Sequence, residues 1–157
     1  MAIVTNSSAV EYGLRTMPLT SKAIRLLQAT KPDELGVISA REKFASACPR
    51  SPTSDHQDSE KQMTKWKELA FKFIAESVGF ADSIEQLTVV FGDSDQEVEA
   101  GKQLQIAYRN SLLKIVRCPR NSCPKLMGSV IKTFRTMLDQ LRVYNVSQEW
   151  VISPIKQ

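Results

Sequence analysis

Apolar positions recur most regularly between Lys125 and Tyr144. Met127, Val130, Ile131, Phe134, Met137, Leu138 and Leu141 follow one another at three- and four-residue steps. At roughly 100° per residue they share one face of a helix, with Lys125, Lys132, Arg135 and Arg142 on the other. A second strong pattern covers 59–78. There Met63, Trp66, Leu69, Ala70, Phe73 and Ile74 face one way, Lys61, Lys65, Glu68, Lys72 and Glu76 face the other, and Gly79 is placed as a stop.

A third helix is expected over 94–117. Ser94-Asp95-Gln96-Glu97 fits a capping box, and Leu104, Ala107, Tyr108, Leu112 and Ile115 form the main apolar face. Ile106 and Leu113 lie off that face among Lys102, Arg109 and Arg117. A fourth helix is expected over 20–30, ended by Lys31-Pro32. Shorter ones are expected at 39–47, where Ser39 and Glu42 fit a capping box, and at 82–90, where Asp82 caps. Thr88-Val89-Val90-Phe91 is β-prone, but so short a run by itself does not suggest a sheet.

These elements predict an all-α fold: an irregular bundle of four main helices plus short ones. A length of 157 residues fits a single helical domain, 1–157. Within it, 1–18 reads as a mobile arm or a short helix, 48–60 as a long surface loop, and 145–157 as a tail bearing Trp150, Val151 and Ile152.

Charge is unevenly spread. Glu76–Glu99 holds seven acids and no base, whereas Ala100–Gln157 holds ten bases and two acids. Such a division implies internal pairing of acidic and basic surfaces, or a basic face for an anionic partner. If helices 94–117 and 125–144 form a hairpin across Cys118–Pro124, then Lys102, Arg109, Arg117, Arg120, Lys125, Lys132, Arg135 and Arg142 could merge into one nucleic-acid-binding surface. That face lacks aromatic side chains for base stacking.

Candidate chemistry is sparse. Cys48, His56, Cys118 and Cys123 are all the soft ligands in the chain. Their spacings, C-x7-H and C-x4-C, are not the tight pairs of a zinc site, so no metal or other cofactor is expected. No phosphate loop, HExxH or GxSxG motif is present, and the one histidine lies in the 48–60 loop. The expectation is therefore no enzyme and no small-molecule substrate. Three cysteines, no leader pattern and no long apolar run point to an intracellular, cytoplasmic setting without a membrane span.

The function expected from these features is non-enzymatic protein–protein interaction through helical surfaces, with an adaptor, regulatory or accessory role. Ile106, Leu113 and Trp150 are the candidate partner-binding residues, and a second copy of the chain is a candidate partner, giving a homodimer. The alternative is a small RNA- or DNA-binding protein using the basic hairpin 102–142.

Overall fold

The computed structural model describes residues 2–5, 36–49, 56–83, 85–120 and 124–152. It divides into two compact units, Met1–Val78 and Gly79–Gln157, and each is described by itself.

In the first unit, strand β1 (Ala2–Thr5) pairs in parallel with β2 (Gly36–Ser39), Ala2 opposite Gly36. Residues 2–5 of the expected arm are therefore strand. The expected helix 20–30 lies outside the described residues. Helix α1 (Ala40–Phe44) starts at the expected cap, where the Ser39 hydroxyl accepts the Glu42 N–H at 3.2 Å. Helix α2 (His56–Ser77) is the expected second helix, begun three residues earlier than the pattern suggested. Its buried Trp66 and Ala70 pack on Ala40, with Val4, Ile38, Phe44 and Met63 around them. The Trp66 indole N–H and the Gln62 side-chain amide both donate to the Cys48 carbonyl, at 3.2 and 2.7 Å. Gly79 follows α2 at φ +78°, a left-handed turn that a Cβ would strain.

The second unit overturns the all-α expectation. Its elements run β3 (Gln86–Gly92), α3 (Asp95–Ala107), β4 (Ser111–Arg117), α4 (Pro124–Val143) and β5 (Gln148–Val151). The strands form one parallel sheet in the order β3-β4-β5, so the fold is mixed α/β. The short helix expected at 82–90 is replaced by β3. The helix expected over 94–117 stops at Ala107, and its second half is β4. Part of the tail is β5. Helix 125–144 is present as α4, one residue earlier at each end.

The physical reason is burial on two faces. A strand inside a parallel sheet is covered above and below, so it reads as a continuous apolar run rather than an alternating one. In β4, Leu113, Ile115 and Val116 are all buried although neighbours point to opposite sides of the sheet. Leu112 and Ile115 happened to fit a three-residue step as well.

The two helices cover opposite faces. A Cβ on Gly101 of α3 would lie 3.0 Å from Val90 Cγ2 and 3.4 Å from Leu113 Cδ1, so α3 sits closely over the side bearing Val90 and Leu113. Helix α4 covers the other side. There the Phe134 ring lies 4.6 Å from that of Phe91, and buried Val130 and Leu141 pack with Val116 and Ile152. The strand order advances one step at a time in one direction. Helices on opposite faces therefore give the two β-α-β connections opposite hands, so one departs from the right-handed form that parallel sheets nearly always use. No helix among the described residues is long and apolar enough to cross a membrane.

Candidate functional site

The carboxyl ends of the three strands bring together Asp93, Asp95, Arg117, Arg120 and Glu149. Strand β3 ends at Gly92 and is followed by Asp93 and Ser94, then α3. Gly92 is needed at this position: a Cβ there would come within 2.7 Å of Glu97 Cγ. The Glu97 side chain lies there because it caps α3, its carboxylate accepting the Ser94 backbone N–H at 3.0 Å and the Ser94 hydroxyl.

Strand β4 ends beside this turn, and Cys118 N–H donates to the Gly92 carbonyl at 2.9 Å. From β4, Arg117 reaches in two directions. Its Nη1 donates to Asp95 Oδ1 at 2.6 Å, and its Nε donates to the Glu149 carboxylate on β5. Arg120, just beyond the strand, donates from Nη2 to Asp95 Oδ2 at 3.0 Å and from Nε to the Asp93 carbonyl, also at 3.0 Å. One carboxylate, Asp95, thus spans two guanidinium groups. Its side chain is nonetheless 75% exposed.

The electrostatics follow from these contacts. Hydrogen bonding from Arg117, then its charge, holds the Asp95 carboxyl below the usual carboxylate range. The same bond, with that to Glu149, raises the Arg117 guanidinium further above its usual value. Burial, and then the nearby Asp93 charge, push the Cys118 thiol up, which disfavours the nucleophilic thiolate. The Asp93 carboxylate has no ion-pair partner among the described residues.

This end of a parallel sheet is where α/β proteins bind ligands, in the crevice opened where the connections from adjacent strands turn to opposite faces. Here β3 leads to α3 on one face and β4 leads to α4 on the other. Sequence reading missed this strand edge because it took both strands for helix. The signal was present as two β-prone runs, 87–91 and 112–116, on either side of one capped helix.

The residues singled out from sequence fall in several places. Ile106 is 67% exposed on α3, whereas Leu113 is on β4 and only 4% exposed, so they form no common stripe. Trp150 is half-buried on β5 and packs on the core beneath α4. Lys102 and Arg109 are exposed, on α3 and just after it, over one face of the sheet. Lys132, Arg135 and Arg142 are exposed on α4 over the other. Lys125 opens α4, and its side chain lies outside the described residues. Arg117 and Arg120 are the two that meet, and they are paired with acids. The seven bases whose side chains are described therefore do not form the single hairpin surface expected of two adjacent helices.

Cys48 and Cys118 are free thiols in different units. The His56 side chain and Cys123 lie outside the described residues. No group of three potential metal ligands occurs among the described ones.

A buried amine lies deeper in the same strand. Lys114 is wholly buried, and its Nζ donates to the carbonyls of Tyr144 and Val146 and stands 5.5 Å from the Trp150 ring centre. Burial lowers its pKa. It ties the α4–β5 connection to the sheet, as does Ser147, whose hydroxyl accepts the Leu113 N–H at 3.0 Å.

No protein-family model, curated protein or solved structure matches this chain.

Proposed function

We propose that the second unit binds a small anionic ligand, of phosphate type, at the carboxyl edge of its sheet. The observation that carries this reading is the convergence of Arg117 and Arg120 on one exposed carboxylate, at the point where α3 and α4 leave for opposite faces. Two guanidinium groups that grip both oxygens of a carboxylate also match a phosphate in charge and geometry.

The protein is a binding protein in this reading, and none of its side chains is assigned a catalytic step. The helical-surface interaction expected from sequence loses its main support, because residues 111–117 are strand. The nucleic-acid alternative loses its single basic face.

The test is an NMR titration of the labelled full chain with inorganic phosphate at low ionic strength. Amides of 92–95 and 117–120 shift together and saturably if the reading is right. No saturable shift in those two segments up to tens of millimolar phosphate rejects it, a range set by the weak affinity of about 4 kcal/mol that a small ion can gain.

A second reading, association with another copy of the chain, is favoured by exposed Val143, Tyr144 and Val146 at the α4–β5 connection, with exposed Val151 on β5. Strand β5 is an edge strand of its sheet, and edges are templates for pairing. A solution mass that stays monomeric at high concentration would reject it.

A further inference from the structure

We infer that Asp95 is a built-in competitor for the anion site, an internal carboxylate that occupies the Arg117–Arg120 pair until a ligand displaces it. The inference rests on the anion-binding reading above and adds its regulation.

Four observations carry it. The Asp95 carboxylate bridges the two arginines with separate oxygens, at 2.6 Å and 3.0 Å, which is the arrangement a bound phosphate would take. It is three-quarters exposed, so it can swing into water without leaving a buried charge behind. Arg117 keeps a second partner in Glu149, so the guanidinium stays in place when Asp95 leaves. The start of α3 does not depend on Asp95, because Ser94 and Glu97 cap it.

The exchange is one anion for another on the same donors. Before it, Arg117 and Arg120 hold Asp95. Afterwards they hold the ligand, and Asp95 is solvated beside Asp93. Three carboxylates, Asp93, Asp95 and the Glu149 that stays on Arg117, repel an incoming anion, so the ligand must make bonds strong enough to offset that repulsion.

The decisive experiment compares inorganic phosphate binding to the wild-type chain and to Asp95→Asn by calorimetry, with the Asp95 side-chain carbon followed by NMR in the wild type. The substitution is expected to tighten phosphate binding by about tenfold or more, the scale of one charged hydrogen bond. In the wild type, saturating phosphate is expected to return the Asp95 titration toward the ordinary carboxylate range, a readout that needs no variant to fold. Equal or weaker binding by Asp95→Asn, or phosphate binding that leaves the Asp95 titration unchanged, overturns the competitor role while leaving the anion site standing. No phosphate binding by either protein overturns both.

Discussion

Arg117 Nη1 holds Asp95 Oδ1 at 2.6 Å, joining the last residue of β4 to the first turn of α3. The pair fixes how the carboxyl edge of the sheet behaves with pH. The folded-state pKa of Asp95 is depressed, so its stabilisation is present above the ordinary carboxylate value. It is lost as pH falls through the depressed value. Because Asp95 is largely exposed, its contribution is expected to stay below about 1 kcal/mol. A side-chain carbon titration of Arg117→Gln checks the cause: Asp95 should return toward its ordinary range.

Lys114 predicts a slope of the same sign at the alkaline end. Its folded-state pKa is lowered by burial, so the unfolded chain binds more protons in the window between that value and 10.5. Stability conferred by this residue therefore rises with pH through the window. Urea denaturation from neutral to alkaline pH measures it, and Lys114→Met should flatten that rise. Met removes the charge while keeping an unbranched stem, although it leaves the Tyr144 and Val146 carbonyls without this donor.

Close approach of α3 to the sheet depends on Gly101. A Leu there must push against Val90 and Leu113, which a Cβ alone already meets at 3.0 and 3.4 Å. Gly101→Leu is expected to destabilise the unit by about 1–3 kcal/mol. Gly101→Ala should cost less, since the better helix propensity of Ala offsets part of the contact, by about 1 kcal/mol. Denaturant midpoints of the two variants give the order.

On the other face, Phe134 and Phe91 pack with ring centres 4.6 Å apart and planes tilted by 41°. Phe134→Ala should cost about 2–4 kcal/mol, somewhat under the range for a fully buried ring because Phe134 is only half-buried. Phe134→Leu should cost visibly less. Loss of far-UV signal from helix as the unit unfolds provides the measurement.

The legible part of this fold was its amphipathic helices and their caps. Trp66 and Ala70 on α2, and Val130, Phe134 and Leu141 on α4, keep one face in and one face out, so a single period identifies them. Ser39 with Glu42, and Ser94 with Glu97, were legible because capping is local. The strands were not legible in the same way. Leu113, Lys114, Ile115 and Val116 are buried on both sides of a sheet, which erases the period of two. The off-face positions of Ile106 and Leu113 were the trace of that error, since one is on a helix and the other on a strand. Lys114 broke the apolar run further by carrying a charge into the core. The charge division was informative: part of the acidic segment does pair with the basic one, through Asp95 with Arg117 and Arg120. The arrangement at the carboxyl edge depended on topology, and no local pattern could reveal on which face each helix lies.

The carboxyl-edge site is tested most directly by phosphate affinity in Arg120→Gln beside the wild type, at fixed pH and low salt. Arg120 is exposed and outside the strand, so its removal leaves the sheet intact. Binding at least about tenfold weaker in the variant is the expected result, the loss of one charged hydrogen-bonding partner. Equal affinity in the two proteins would place the anion elsewhere and contradict the assignment.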